Sequence, residues 1–197
     1  MGFPSPFGGS TDDDLFDEAD EFVPEHVPEP GWFLEGQTVL TGEDHLAFHE
    51  TTSDIFDERG VYDMTFGYNL ARLNHDTRHP DAGYRYAEEA DDAAVLRAEF
   101  TPTTPFCPQS DTLTKGAFRA WNELSDRHDY DRVRVRVAET HHQSDDINAA
   151  LESLEATYRE TGSVAPATDQ ASDLGTGPAY TDDTETTGRG DAPDAPF

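Results

Sequence analysis

Apolar residues are spread unevenly along the chain, and only its middle carries periods that a fold can use. Val61, Met64, Tyr68 and Ala71 have loose helical spacing, which predicts a helix over 61–73 that stops before the polar stretch 74–80. Residues 83–89 and 94–100 alternate in character, and Ala90-Asp-Asp-Ala93 between them suits a hairpin. Leu113, Ala117, Ala120, Trp121 and Leu124 then recur on one helical face, with Ser110 or Asp111 available as N-cap. Arg132-Val-Arg-Val-Arg-Val137 has a period of two. Ser144 opens a last helix whose Ile147, Leu151, Leu154 and Tyr158 make one stripe.

This order of elements predicts a small α+β domain over 61–161, a three-stranded mixed sheet backed by helices. The flanks lack such periods. Residues 1–40 are rich in Gly, Pro and acids and read as a disordered acidic region, and 41–60 as a stretch with a possible helix. Residues 162–197 hold little to bury and read as a disordered tail; Arg189-Gly-Asp191 within it reads as a chance motif.

Composition changes the picture of the surface. Forty-two acids oppose thirteen bases, giving a formal charge of −29, and Lys115 is the only lysine. Such a surface repels itself in dilute buffer, whereas at molar salt the screening length shrinks to ~3 Å. The balance fits a halophilic, salt-rich cytoplasm. It argues against nucleic-acid and anionic-membrane partners, which require a basic footprint. No apolar run approaches the length of a membrane span and no signal-like segment opens the chain, so a cytoplasmic location is expected.

Candidate chemistry centres on the one cysteine, Cys107, held between Pro105 and Pro108 after a strand and before a helix. A thiol near a helix start meets unpaired amides, which favour thiolate, while Asp111 opposes this. Thr103 is placed to donate a hydrogen bond to the sulfur. One cysteine excludes an intramolecular disulfide, and one thiolate does not hold a cluster alone.

Residues ~94–160 resemble the PaaD-type iron–sulfur cluster assembly domain, the family that includes SufT and the cytosolic iron–sulfur targeting subunits. The resemblance rests on Phe100-Thr-Pro-Thr103, Cys107-Pro108, Val133 to Val137, Thr140-His141 and Asn148-Ala-Ala-Leu151, in that order. It implies an adaptor or transfer protein in metalloprotein maturation, not an enzyme, acting through Cys107 with Thr103, His141 and Asn148 in support. The cofactor implied is an iron–sulfur cluster bound transiently by Cys107 or shared in a homodimer, and the implied partners are cluster scaffolds or apo-protein clients.

Two other readings stand beside it. One is an acidic protein-interaction module with a structural cysteine, and the other a cysteine nucleophile with His141 as base. Arg132, Arg134 and Arg136 share one strand face and either pair with Glu88 or Glu99 or form a docking face for an acidic partner. His45 and His49, one helical turn apart, suit a half-buried helix or a two-histidine metal site.

Overall fold

A computed structural model describes residues 15–164. Four strands form a mixed sheet in the order β1-β4-β5-β6: β1 (Thr38–Val39), β4 (Gly83–Glu89), β5 (Asp92–Thr101) and β6 (Arg132–Val137). A separate two-stranded ribbon joins β2 (Tyr62–Asp63) to β3 (Tyr68–Asn69). The helices are α1 (Gly42–Arg59), α2 (Ser110–Glu123) and α3 (Ser144–Thr161). The α+β class is as expected, but β1 makes the larger sheet four-stranded rather than three-stranded.

The expected hairpin is β4–β5, antiparallel with Tyr84 opposite Phe100. β6 runs parallel to β5, with Arg134 opposite Arg97. Period-two patterning therefore sorts the sheet into unlike faces. Tyr84, Tyr86, Leu96, Ala98, Phe100, Val133, Val135 and Val137 enter the main core, where Trp121, Phe56, Ile55 and Phe118 cover them. The other face carries Arg85, Arg97, Glu99, Arg134 and Arg136, beneath Phe33 and Leu34 of a 3-10 turn.

The helix expected over 61–73 does not form. Asp63 Oδ1 accepts from the amides of Thr65 and Phe66, and Gly67 takes a left-handed φ of 73°, so the chain turns back as the β2–β3 ribbon. Asn69 then caps a 3-10 turn, Leu70–His75, by accepting from Ala71 N. At α2 the N-cap position is Gln109 rather than Ser110 or Asp111, and no side chain caps it.

Residues 15–40, expected to be disordered, pack as a strap. Phe16, Phe22 and Phe33 lie under Arg72, Arg85 and Arg97 respectively, at 3.7, 5.3 and 5.0 Å from ring to guanidinium carbon. Val27, Phe33, Leu34 and Leu40 are buried. Glu99, itself buried, accepts from Gly31 N at 2.8 Å and Phe33 N at 3.0 Å, which fixes the strap to the sheet. A Cβ at position 31 would lie 2.2 Å from Glu99 Oε1, so the contact requires glycine. The expected tail over 165–197, with Arg189-Gly-Asp191, and residues 1–14 lie outside the described residues.

Asparagines complete the exposed sheet edges. On the outer edge of β6, Asn122 of α2 pairs with both Val133 N and Val133 O, at 3.0 and 2.8 Å. Asn148 of α3 does the same at Val137, at 2.8 and 3.0 Å, and Arg136 donates to Val135 O between them at 2.7 Å. On β4, Asn74 pairs with both polar groups of Tyr84 at 2.7 Å. Each amide side chain imitates a neighbouring strand where none exists and blocks edge-to-edge pairing. Asn148→Ala strands one buried donor and one buried acceptor, and should cost about 2–4 kcal/mol in urea unfolding. A loss below ~0.5 kcal/mol would show that water replaces the amide.

Candidate functional site

The loop that carries Cys107 is tightly braced. Cys107 is half-buried and its thiol is free. Gln109 reaches across to the β2–β3 ribbon, accepting from Met64 N at 3.1 Å and donating to Thr65 Oγ1 at 2.6 Å. His141 is buried, and its Nδ1 accepts from Gln143 N, so its Nε2 carries the proton and donates to Cys107 O at 3.0 Å. His142 Nδ1 bonds Pro105 O at 2.8 Å. Beside the thiol, Phe106 is 70% exposed, and on the ribbon Met64 is 80% exposed.

The structure thus brings His141 to the cysteine loop but engages it with the backbone rather than with the sulfur. Both its ring nitrogens are taken, which leaves neither a base nor a ligand. Thr103 makes no hydrogen bond to the Cys107 sulfur among the described residues, and Asn148 caps β6 on the other side of the 137–144 connection. No group of three or more His, Cys, Asp or Glu side chains able to hold a metal ion occurs among the described residues. Among the described residues, no second ligand side chain joins Cys107 in a metal-holding group.

Arg132, Arg134 and Arg136 pair intramolecularly, though not with the expected partners. Arg134 meets Glu89 and, at 2.8 Å, Glu155; Arg136 meets Glu155 at 3.1 Å. Glu88 instead accepts from the Tyr130 hydroxyl, and Glu99 holds the strap. Phe33 covers Arg97, Arg134 and Arg136, each of which is engaged by a carboxylate of the fold, and Arg136 is buried.

A second site lies where the sequence reading placed only a possible helix. The inner face of α1 carries His45, Phe48, His49, Thr52, Ile55 and Phe56, all buried. Trp121 Nε1 donates to Thr52 Oγ1 at 3.1 Å, and the Thr52 hydroxyl lies beside that of Tyr86. The Tyr86 hydroxyl donates to His49 Nδ1 at 2.8 Å, and His49 Nε2 donates to Ala71 O at 2.9 Å. This directed chain ties α2, α1, β4 and the 70–75 turn together. It also occupies both nitrogens of His49, so the two-histidine metal site does not form.

Next to this chain a cavity of about 670 Å³ opens between α1, the 70–75 turn and the strap. Leu46, Ala47 and Ala71 give it an apolar floor, and Asp20, Glu43, Glu50, Asp54 and Asp57 outnumber Arg72 around it. His75 also lines it, with its ring 5.2 Å from that of His49. The His75 ring makes no hydrogen bond among the described residues, which leaves its nitrogens to the cavity. Sequence reasoning missed this site because the wall facing α1 comes from the strap and a 3-10 turn, neither of which has a period.

Residues 14–165 match the family model described as Domain of unknown function (DUF7998). The chain belongs to the DUF7998 family. The match contains the whole of 94–160, and it overturns the resemblance to the PaaD-type domain. The iron–sulfur role implied by that resemblance loses its basis with it. No curated protein and no solved structure matches the chain. Among the described residues of this DUF7998 domain, no helix is long and apolar enough to cross a membrane.

Burial favours the neutral form of His45, His49, His75 and His128. Desolvation, with Arg85 and His75 nearby, lowers His45 to about 3, and desolvation lowers His49, His75 and His128 as well. A depressed folded value means stability that is complete above ~6.5 and lost as pH falls. Glu99 works the other way: burial raises it against the opposing Phe33 and Gly31 amides, so its contribution is complete at low pH and falls as pH rises. Urea stability should therefore drop between pH 6.5 and 4.5, by about 1.4 kcal/mol per pH unit for each histidine charged on unfolding alone. His45→Phe should flatten that slope; an unchanged slope would mean that His45 is protonated in the folded protein.

Proposed function

We propose that this DUF7998 domain is a small-molecule-binding protein whose ligand is an amphipathic cation held in the cavity beneath the strap. The observation that carries this reading is the cavity itself: an apolar floor, an acid-dominated rim and one unengaged neutral histidine, His75, in a volume suited to a small ligand. An alkyl or aryl body fits against Leu46, Ala47 and Ala71. An ammonium fits the rim of Asp20, Glu43, Glu50 and Asp54, and neutral His75 is able to accept one of its protons. A partly enclosed acidic rim concentrates the field on such a ligand. Turnover is not part of the reading, because the buried His49–Tyr86 pair has its nitrogens and hydroxyl committed to structure.

A second reading is favoured by the exposed Phe106 and Met64, which stand on loops braced by Gln109. Large apolar groups held rigidly in the open suit docking on another protein, with Cys107 beside the contact. A bismaleimide reacted with Cys107 in native extract should then add a partner's mass to the wild type and not to a Phe106→Asp, Met64→Asp double variant. An adduct-free wild type removes that reading.

The cavity reading is tested by nuclear magnetic resonance titration with n-hexylamine, n-hexanol and hexanoate. Hexylamine should shift the amides of residues 46–54 and 71–75 at concentrations at least tenfold below those needed for hexanol, and hexanoate should not bind there. Ser53→Trp, which fills the cavity, should abolish the shifts. Equal responses to all three probes, or none at these residues, would refute a cation site.

A further inference from the structure

Arg85 is the exception among the arginines of the sheet. Arg97, Arg132, Arg134 and Arg136 each have a carboxylate within ion-pair distance. Arg85 lies on the same face of the sheet, is only 7% exposed, and has none among the described residues. Its Nε and Nη1 are buried without a hydrogen-bond partner. The Phe22 ring of the strap covers it, 5.3 Å from the guanidinium carbon. Against the same ring, at 5.0 Å, lies His45, which is 1% exposed and whose Nδ1 is also buried and unpartnered.

A guanidinium does not shed its proton in a protein, so Arg85 carries its charge into the interior. A buried charge without a counter-charge is strongly unfavourable, and the unused donors add their own desolvation cost. In a chain with forty-two acids an internal partner was readily available, yet the nearby acid that acts on Arg85, Glu29, is exposed and forms no ion pair with it. The Nε–Nη2 edge of a guanidinium presents two parallel N–H groups, the geometry by which Arg78 takes Asp76 two-pronged, and on Arg85 the Nε of that edge is buried without a partner.

We propose that the Nε–Nη2 edge of Arg85, with His45 against the same Phe22 ring, is a binding site for one small monovalent anion, a halide or a monocarboxylate, covered by the strap. The charge to be matched is a single positive one, and the acids around the strap repel polyvalent anions. The site lies apart from the cavity of the proposed function, whose lining includes neither Arg85 nor His45. It stands whether or not that cavity takes a cation.

Anomalous diffraction from bromide-soaked crystals of the full chain tests this directly. A bromide peak is expected within hydrogen-bond reach of Arg85 Nε and Nη2. In solution, the melting temperature should be higher in sodium chloride or formate than in sodium gluconate at equal ionic strength, and Arg85→Met should lose that difference. Loss of the bromide peak in added formate assigns a carboxylate as the tighter ligand; its persistence assigns a halide. Glu29→Gln, which removes a nearby repelling charge, should tighten the anion severalfold, and it keeps the test open should Arg85→Met fail to fold. The proposal is overturned by Glu29 found seated on Arg85 in place of bromide, by the absence of a peak there, or by an anion-specific shift that survives in Arg85→Met.

Discussion

The fold depends on the Tyr86 hydroxyl more than on any single apolar contact. It lies beside the Thr52 hydroxyl and donates to His49, and through these neighbours the chain extends to Trp121 and Ala71. Every member is buried, so each polar group has to find its partner inside the protein. The direction of donation is fixed at both ends, because Trp121 donates only and the Ala71 carbonyl accepts only. The relay therefore fixes which face of α1 turns inward and how far the 70–75 turn approaches β4. A purely apolar contact between the same elements would tolerate sliding; a directed chain does not.

The same principle extends to the other sheet face and the edges. A chain so rich in acids has few apolar residues with which to cover two faces of a sheet. One face is consequently closed by paired charges, with Glu89 and Glu155 between Arg97, Arg134 and Arg136, and by a single aromatic ring lying on them. The edges are closed by Asn74, Asn122 and Asn148 rather than by further strands. Polar groups buried in this way stabilise little when complete and cost a great deal when broken. Specificity of packing, more than bulk burial, is what such a core provides.

This explains what was legible in the sequence. β4, β5, β6, α2 and α3 follow the period of their apolar residues, and Leu113 to Leu124 and Ile147 to Tyr158 face the core as their spacing implies. α1 is harder to read because its inward face alternates His45, His49 and Thr52 with Phe48, Ile55 and Phe56, leaving a broken apolar stripe. The 61–73 segment misleads because helical spacing there loses to Asp63, Gly67 and Asn69, which satisfy the backbone as turns. The strap is invisible to periodicity, since each of its phenylalanines meets an arginine distant in sequence. Cys107 drew attention as the one thiol, yet its surroundings serve to brace a loop, and the larger cavity formed elsewhere.

The strap is where the two candidate sites meet. Asp20 borders the cavity, Phe22 lies two residues on between His45 and Arg85, and Gly31 ends the segment on Glu99. It is tied to the body along its length: Asp17 N donates to His75 O at 2.8 Å, Thr77 N to Leu15 O at 3.0 Å, Asp81 N to His26 O at 3.2 Å and Leu40 N to Tyr86 O at 2.9 Å, beside the Glu99 contacts and the aromatic packing. A ligand that touches Asp20 and an anion that seats Phe22 would each favour the closed strap. By linkage, whatever one site gains in affinity from the other it returns by the same factor. Coupling through the strap thus requires no change in the sheet, only a shared preference for the one arrangement in which Phe22 covers Arg85.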